Sequence, residues 1–251
     1  MVQLARGRLI IQANSRATEP CNGVRAIREG NILERSDIMA FLFSSTRRFF
    51  SSSISPVKIL GVCGSGQMGT GIALVGAARA GVEKVLLLDS NPDALERSKA
   101  FASKWMEKEV GKGRMTNEER ESFQNRLVPT SSIEALAEAD FVIEAIVENL
   151  EAKQELLSKV AGVVSPDTIL ASNTSSISIT KLASVAPDPT KVIGMHFMNP
   201  VPVMKLVEVI RGLATSEDTL HATLQLCERM QKITSSSTDM PGFIANRILV
   251  G

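Results

Sequence analysis

Residues 57–81 read "VKILGVCGSGQMGTGIALVGAARAG", an apolar run followed by glycines and then by small side chains. The first seven residues are an apolar run that predicts a buried strand, which stops at a cluster of glycines. The small side chains of residues 67–81 predict a helix packed closely on that strand. A strand followed at once by a helix is the first half of a βαβ unit.

The same alternation continues through the rest of the chain. Apolar runs predict strands and amphipathic runs predict helices, which together indicate an α/β fold. Such an order favours a Rossmann-type, doubly wound, mostly parallel sheet over residues 56–240. The further strands are predicted at 84–90, 140–146, 168–173, 191–197 and in "KLVEVI" (205–210). The helices are predicted at 91–110, 116–127, 132–138, 150–162, 178–186 and in "SEDTLHATLQLCERMQ" (216–231).

Gly64, Gly66 and Gly69 form a G-x-G-x-x-G pattern between the first strand and its helix. In a dinucleotide site the first glycine permits a tight turn, the second lets a pyrophosphate approach, and the third allows close helix–strand packing. The helix N-terminus adds N–H groups for the anion. Glycines are common in turns, so the pattern carries weight only together with its strand and helix. The intervening Ser65, Gln67 and Met68 are predicted to line the same ligand.

Asp89 ends the second predicted strand, 20 residues after Gly69. An acidic residue at this place hydrogen-bonds the ribose hydroxyls and repels a 2′-phosphate, which favours NAD(H) over NADP(H). The alternative is that Asp89 caps the helix that starts in "LDSNPD" (88–93). NAD is therefore the predicted cofactor.

His196 is one of only two histidines, and it lies in the apolar run "KVIGMHF" (191–197). A turn centred near Pro202 leads into the next predicted strand, and antiparallel pairing about that turn sets His196 opposite Glu208. A carboxylate on one imidazole nitrogen fixes the tautomer and leaves the other nitrogen to take a proton. The competing interpretation is a core histidine bonded to a backbone carbonyl.

Two polar stretches follow predicted strands, at the edge where open parallel sheets bind ligands. "SNTSS" (172–176) contains Ser175, and "EN" (148–149) contains Glu148. We expect Glu148 near a nicotinamide and the hydroxyls of "SNTSS" near a substrate oxygen. A helix cap or an ordinary structural loop is the alternative for each stretch.

Composition argues against several classes of function. The 251 residues carry a net charge of +1, and this near balance does not indicate binding to nucleic acid or to an anionic membrane surface. Every apolar run is far shorter than the ~20 residues of a membrane helix. The cysteines at positions 21, 63 and 227 are too widely spaced for a metal-ligand or redox pattern, so no metal is predicted.

Residues 1–55 differ from the rest of the chain and are expected to be an N-terminal extension. "MAFLFSSTRRFFSSSIS" (39–55) is rich in Ser, Phe and Arg and has no acidic residue, which is typical of an organelle transit peptide. The mitochondrial matrix is the predicted location, with the peroxisome as alternative; a disordered tail is the competing interpretation. Acidic residues in 1–38 fit a presequence less well, so we expect Met39 to be the working start. A precursor peptide that begins before Met39 would contradict that expectation.

Five motifs resemble those of the L-3-hydroxyacyl-CoA dehydrogenases and occur in the same order. They are "GSGQMG", "EAIVENL", "ASNTSS", "GMHFMNPVPVMKLVEVI" and "PGFIANR", and the match extends from about Val57 to Gly251. "KGRMTNEER" (112–120) is similar to the 3-hydroxybutyryl-CoA members in particular. The resemblance implies NAD-dependent oxidation of an L-3-hydroxyacyl-CoA to the 3-ketoacyl-CoA, in fatty-acid β-oxidation or short-chain acyl-CoA metabolism.

The resemblance also implies a role for individual residues. His196 would be the general base that takes the proton of the 3-hydroxyl, and Glu208 would orient it. Ser175 and Asn246 would hydrogen-bond the C3 oxygen, while Lys112 would meet the phosphates of coenzyme A. The implied cofactor lining is Glu148, Lys153, Ser175 and Asn199.

Members of this family continue after "PGFIANR" into an all-helical domain, which covers the substrate and forms most of a homodimer interface. Residues 241–251 are therefore expected to be the start of a truncated helical domain. Trp105 is a departure, because relatives can carry a serine there that contacts coenzyme A. Two other functions stay open: a non-catalytic NAD-binding fragment and a related sugar-acid dehydrogenase.

Overall fold

The computed structural model describes residues 2–5, 8–11, 55–240 and 243. The chain divides into two compact units, Met1–Ser53 and Ile54–Gly251. In the first unit, β1 (Val2–Ala5) and β2 (Arg8–Ile11) pair as an antiparallel hairpin. The predicted transit peptide lies outside the described residues apart from Ser55, and it stays a prediction.

The second unit is built around an eight-stranded sheet. Its strands are β3 (Ile59–Cys63), β4 (Lys84–Leu88), β5 (Leu127–Thr130), β6 (Phe141–Glu144), β7 (Ile169–Ser172), β8 (Val192–Phe197), β9 (Leu206–Arg211) and β10 (Ile233–Thr238). They lie in the order β10-β9-β8-β7-β6-β3-β4-β5, and every neighbouring pair is parallel except β8 and β9. The predicted α/β, doubly wound, mostly parallel architecture is therefore confirmed.

Helices cover both faces of this sheet. Because side chains alternate along a strand, Leu60 and Val62 of β3 enter one buried cluster while Cys63 enters the other. The first cluster lies under α1 and α6, and the second lies under α4 and α5. The helices are α1 (Gln67–Arg79), α2 (Pro92–Gly111), α3 (Asn117–Arg126), α4 (Leu150–Ala161), α5 (Ile179–Ala183) and α6 (Glu217–Arg229), with 3₁₀ turns at Ile133–Glu138 and Pro189–Lys191.

The structure differs from the sequence-based prediction at four places. The edge strands β5 and β10 were not predicted, because "LVPT" is short and "ITSSST" is polar and partly exposed. The helix predicted at 178–186 ends at Ala183, shortly before Pro187. Residues 133–138 form a 3₁₀ helix instead of an α-helix.

The sheet grows in two directions from β3. The chain first adds β4 and β5 on one side and then crosses over to add β6, β7 and β8 on the other. The two directions meet where β3 and β6 end, and there the Ala145 amide donates to the Cys63 carbonyl at 2.8 Å. Such a reversal opens a crevice at the carboxyl edge of a parallel sheet, which is where ligands bind in this class of fold.

The turn between β8 and β9 packs tightly against α1. A methyl group added at Gly71 would lie 2.8 Å from Val201 Cβ and 3.6 Å from Pro202 Cδ. Lys232 holds the same turn from the other side, since its ammonium donates to the Val201 carbonyl and, at 2.8 Å, to the Met204 carbonyl. This turn therefore has little freedom to move relative to the glycine loop at the start of α1.

We expect Gly71→Ala to lower the free energy of unfolding. Alanine gains about 1 kcal/mol of helix propensity over glycine, but overpacking against Val201 costs about 1–3 kcal/mol, so the loss outweighs the gain. Gly111→Ala is the matched control, because a Cβ at Gly111 meets no described atom within 4 Å. In urea denaturation followed by circular dichroism, the midpoint should fall for Gly71→Ala and rise for Gly111→Ala. A higher midpoint for Gly71→Ala would contradict the tight contact with Val201.

Candidate active site

The backbone packing of the fold, independently of any ligand, requires glycine at positions 64 and 69. Gly64 has φ +99°, and a Cβ there would lie 2.6 Å from the Ala145 carbonyl oxygen. A Cβ at Gly69 would lie only 1.8 Å from the Gly64 carbonyl oxygen. The two missing side chains let α1 begin directly above the end of β3, at the crevice between β3 and β6.

Gly66 is different, because a Cβ there would meet no described atom within 4 Å. The space beside it is open, and α1 begins after Gly66 without a hydrogen bond from any capping side chain. Gln67 and Met68 are the first residues of that helix. An uncapped helix N-terminus next to open space is suited to an anion such as a pyrophosphate.

Asp89 is held by the glycine loop. Its Oδ2 accepts from the Ser65 amide at 2.7 Å and from the Ser65 hydroxyl at 2.8 Å, and its Oδ1 accepts from the Asn91 amide at 2.9 Å. Burial raises the pKa of the Asp89 carboxyl, but these hydrogen bonds and the Arg97 charge outweigh burial and lower it. The cap of α2 is Asn91, so the capping alternative for Asp89 is wrong.

A cleft of about 500 Å³ opens at the ends of β3 and β4. Its position, between the glycine loop and the polar loop after β5, matches the adenosine side of a dinucleotide site. Together with the open Gly66 and the charged Asp89, it shows that the residues present fit NAD. The cleft is lined by Cys63, Gly64, Leu88, Asp89, Ser90, Ser131, Ser132, Ile133, Glu134, Ile146, Leu156 and Lys159.

His196 and Glu208 face each other across the antiparallel strands β8 and β9. The predicted pairing of these two residues is thus confirmed. His196 Nδ1 lies 2.8 Å from Glu208 Oε2, and both side chains are buried. Because a carboxylate only accepts hydrogen bonds, Nδ1 carries the proton and Nε2 is the nitrogen that can accept one. The geometry therefore fits a general base and excludes the backbone-bonded alternative for Nδ1.

The surroundings of His196 connect it to the glycine loop. Gln67 Nε2 donates to Asn199 Oδ1 at 3.1 Å, so the turn after β8 touches the start of α1. Phe243 is buried and its ring centroid lies 6.0 Å from that of His196. Sequence reasoning did not single out Phe243. The predicted Asn246 lies outside the described residues, and its role stays a prediction.

Glu148 organises the loop that contains Ser175. Its Oε1 accepts from the Ser175 amide at 2.8 Å, the Ser175 hydroxyl at 3.0 Å and the Thr174 hydroxyl at 2.6 Å. Partial burial raises the pKa of the Glu148 carboxyl, but the hydrogen bonds from Thr174 and Ser175 and the Lys153 charge lower it to about 2. Glu148 is therefore a carboxylate at every physiological pH.

Glu144 was missed by the sequence analysis. It is the last residue of β6, fully buried, and it forms an ion pair of 2.6 Å with the buried Lys153. The signal was an acidic residue inside the apolar run "DFVIEAI" (140–146), which was interpreted only as a strand. Buried ionised groups of this kind require partners and often mark functional sites.

A second cavity, of about 550 Å³, lies beyond the turn between β8 and β9. Trp105 and Val203 are on its wall, and Lys112 is paired with Glu109 at 3.9 Å. Its lining contains five basic residues and one acidic residue, so the cavity is suited to an anionic ligand. The basic residues are Arg79, Lys108, Lys112, Arg114 and Lys205.

Two negative findings apply to the described part of the chain. No group of three His, Cys, Asp or Glu residues there could hold a metal ion. Among those same residues, no helix combines the length and the apolarity that crossing a bilayer would need.

A doubly wound sheet, a dinucleotide cleft and a histidine–carboxylate pair define a class: the nicotinamide-dependent dehydrogenases. A family profile described as "3-hydroxyacyl-CoA dehydrogenase, NAD binding domain" matches residues 59–239. The chain belongs to the 3-hydroxyacyl-CoA dehydrogenase family, and NAD is its cofactor.

Individual relatives agree with this assignment. A probable 3-hydroxybutyryl-CoA dehydrogenase of Bacillus subtilis is 48% identical over 194 residues, covering 77% of this chain and 67% of the relative. The crystal structure of the (S)-3-hydroxybutyryl-CoA dehydrogenase from Ralstonia eutropha superimposes with a TM-score of 0.74 at 40% identity, covering 77% and 68%. A 3-hydroxyadipyl-CoA dehydrogenase of Escherichia coli is 45% identical, covering 76% of this chain and 40% of that protein. The chain spans about two thirds of the length of the 3-hydroxybutyryl-CoA relatives it matches.

We expect Gly66→Ala to weaken NADH binding by at least about tenfold, because its methyl group would occupy the space that the pyrophosphate approaches. The free energy of unfolding should change little, since a Cβ at Gly66 meets no described atom within 4 Å. Gly69→Ala is the contrast, because its Cβ collides with the Gly64 carbonyl and should destabilise the fold. Fluorescence titration with NADH and urea denaturation separate the two effects. Unchanged NADH affinity in Gly66→Ala would contradict the approach of the pyrophosphate to Gly66.

Proposed function

We propose that this chain carries the NAD-binding and catalytic half of an L-3-hydroxyacyl-CoA dehydrogenase that acts on short-chain substrates. One observation carries the proposal: the buried His196–Glu208 pair lies beside a turn that touches the dinucleotide loop through Asn199 and Gln67. The relatives named 3-hydroxybutyryl-CoA dehydrogenase support the short-chain class of substrate. Intact site residues speak against the alternative of a decayed, merely NAD-binding fragment.

His196 performs the proton transfer. Its Nε2 accepts the proton of the substrate's 3-hydroxyl, while the bond from Nδ1 to Glu208 holds the ring in place. When the ring becomes positively charged, the neighbouring carboxylate stabilises it. Because Glu208 is 1% exposed, solvent screens this attraction only weakly.

Ser175 places a hydroxyl at the carboxyl edge of β7. Its single O–H donates to Glu148 Oε1, and it hydrogen-bonds the C3 oxygen of the substrate when that O–H turns from Glu148 to the substrate. Glu148 orients both the amide and the hydroxyl of Ser175. Asn199 is oriented from the other side by Gln67. NAD⁺ bound in the cleft supplies the hydride acceptor for C3.

The basic cavity next to the β8–β9 turn is suited to the phosphates of coenzyme A. Pro202 and Val203 belong both to this cavity and to the turn that follows His196. An acyl-CoA can therefore place its thioester end near His196 and its phosphates near Lys112. Trp105 offers an aromatic face on the same wall, where relatives are expected to offer a serine.

Replacing the general base tests the activity directly. We expect His196→Gln in the 251-residue chain to lower NADH oxidation with acetoacetyl-CoA by about 100-fold or more, and Glu208→Gln to lower it by a smaller factor. NADH affinity should stay within about twofold in both variants, because neither side chain lies in the adenosine cleft. Undiminished turnover in His196→Gln, or NADH binding without any turnover in the unmodified chain, would contradict the proposal.

Removing one cation of the basic cavity tests the substrate class. We expect Lys112→Ala to raise KM for acetoacetyl-CoA by about fivefold, since an ammonium beside a phosphate is lost. KM for acetoacetyl-pantetheine, which has no phosphate, should not change. Lys99→Ala is the matched control, because Lys99 lies on α2, the helix that Lys112 caps, but outside the cavity, and it pairs with Glu96. Equal effects on both thioesters would show that Lys112 does not meet phosphate.

We further propose the mitochondrial matrix as the location and homodimerisation as the assembly of the protein. The support for the location is the Ser-, Phe- and Arg-rich composition of residues 39–55. A fluorescent protein fused behind residues 39–55 should enter mitochondria, and a cytosolic or peroxisomal signal would contradict this.

A further inference from the structure

Two cations from other parts of the fold bind the carbonyl groups of the turn between β8 and β9. The Lys232 ammonium donates to the Val201 carbonyl and, at 2.8 Å, to the Met204 carbonyl. The Arg79 guanidinium, from the end of α1, donates to the Pro202 carbonyl at 3.2 Å. Hydrogen bonds with a charged donor are shorter and stronger than those between neutral groups. The shape of this turn therefore depends on side chains that lie outside it.

Lys232 reaches the turn from a strained piece of backbone. The residue is buried, with 7% of its surface exposed. Gln231, just before it, has φ +58°, a left-handed conformation that glycine usually supplies at the end of a helix. The Lys232 amide donates to the Cys227 carbonyl of α6 at 2.9 Å, which keeps this conformation in place. Strain of this kind persists where the surrounding structure requires it, and it is concentrated at functional sites.

The turn borders both halves of the proposed site. Pro202 and Val203 line the basic cavity. Asn199 accepts from Gln67 at the start of α1, at 3.1 Å, and the turn directly follows β8, the strand of His196. The position of the turn therefore sets both the wall of the cavity and the approach to His196.

We propose that Lys232 is a positioning residue that fixes the turn between β8 and β9 as the common wall of the basic cavity and the His196 site. A fixed wall keeps an acyl-CoA, held by its phosphates in the cavity, aligned with the imidazole. Lys232 acts through the Val201 and Met204 carbonyls and not by contact with the substrate. The inference rests on the proposed function, in which the basic cavity binds coenzyme A and His196 takes the proton.

The charge on Lys232 makes its grip on the turn sensitive to pH. Burial and the Arg79 charge lower the pKa of the Lys232 ammonium to about 8. Cys227 of α6 also acts on it, but burial raises the pKa of that thiol to about 12, so the thiol is neutral. Lys205 adds a further cation on the turn itself. The neutral amine of Lys232 loses the charge that strengthens its hydrogen bonds, so the turn should loosen as the pH rises through about 8.

Global unfolding does not explain such a loosening. An unfolded lysine keeps its proton up to a pKa of about 10, so above about pH 8 the unfolded chain binds more protons at residue 232 than the folded protein does. The contribution of Lys232 to stability therefore rises with pH over this range. A local change at the turn in the same range is distinct from unfolding.

Trp105 reports on this wall without any ligand. It is the only tryptophan of a chain that has no tyrosine, and it lies on the cavity wall with Pro202 and Val203. We expect Lys232→Met in the 251-residue chain to raise the acrylamide quenching constant of Trp105 about twofold, because methionine donates no hydrogen bond and the turn opens locally.

Lys99→Met is the matched control for this measurement. Lys99 is an exposed lysine on α2, the helix of Trp105, and it pairs with Glu96 at 2.7 Å outside the cavity. Its substitution should leave the quenching constant unchanged. An equal rise in both variants would show that the loss of any nearby lysine is enough, and would overturn the inference.

The kinetic measurement compares two thioesters. Misplacing the turn should lower kcat about tenfold with both acetoacetyl-CoA and acetoacetyl-pantetheine, because alignment with His196 is lost for each of them. A direct contact between Lys232 and a phosphate of coenzyme A would instead raise KM for acetoacetyl-CoA alone and leave kcat unchanged. That pattern, or an unchanged kcat with both thioesters, would overturn the inference.

Urea midpoints separate positioning from stability. If Lys232→Met lowers the midpoint while its folded fraction keeps the quenching constant and kcat of the unmodified chain, Lys232 is merely structural and the inference is overturned. If the variant does not fold, a pH titration of the unmodified chain decides. A Trp105 quenching constant that rises with a midpoint near the pKa of about 8, at constant ellipticity, supports the inference, and a constant value overturns it.

Failure of the proposed function gives a different result. An unmodified chain without turnover would overturn the proposed function and the inference with it. Turnover in the unmodified chain, together with unchanged quenching in Lys232→Met, would overturn the inference alone.

Discussion

The contact between Gly69 and the Gly64 carbonyl is the constraint from which the active site is built. Because neither residue has a side chain, the first turn of α1 lies directly on the loop that leaves β3, and a single Cβ would lie 1.8 Å from an oxygen atom. That closeness brings the Gly66 backbone to the edge of the crevice. It also brings Gln67 within hydrogen-bonding distance of Asn199, which follows β8, the strand of His196. The glycine loop and the turn after His196 are thus parts of one packed arrangement.

Charge is concentrated at one edge of an otherwise apolar sheet. Glu144 ends β6, Asp89 follows β4, and His196 lies near the end of β8. Each has a partner at less than 3 Å, because charges and imidazoles away from water are stable only when paired or hydrogen-bonded. The opposite arrangement, with these groups spread through the core, would cost stability and give no common site. The sheet topology gathers them, since parallel strands all end at the same edge.

The fold could be predicted from the sequence because its signals are local. Apolar runs and the glycine pattern are enough to place β3, α1 and β4, and the pairing of His196 with Glu208 follows from one turn. The edge strands β5 and β10 could not be found this way, because their residues pack on one side only and include proline or a run of serines. Tertiary contacts, and not propensity, hold them in the sheet.

The site was predictable only in part, for a similar reason. Asp89 and Glu148 come at or after the ends of predicted strands. Because parallel strands end at the same edge of a sheet, their place in the sequence also predicts their place in the structure. Glu144 lies inside the longer run 140–146 that was predicted as a strand, and its partner Lys153 is nine residues further on in a helix whose docking the sequence does not state. Phe243 reaches His196 from far along the chain, with φ +44°, and no local pattern predicts such a contact.

The antiparallel hairpin of β8 and β9 has a consequence for how such a protein can change over time. His196 and Glu208 lie on this one hairpin, twelve positions apart, with their mutual distance set by main-chain hydrogen bonds. A one-residue slip would turn Glu208 to the opposite face of the sheet and separate the pair. A single residue inserted within either strand between His196 and Glu208 would have this effect, whereas the loops around the hairpin can vary in length and composition. The His196–Glu208 pair is therefore inherited as part of a single uninterrupted segment, whatever happens to the loops around it.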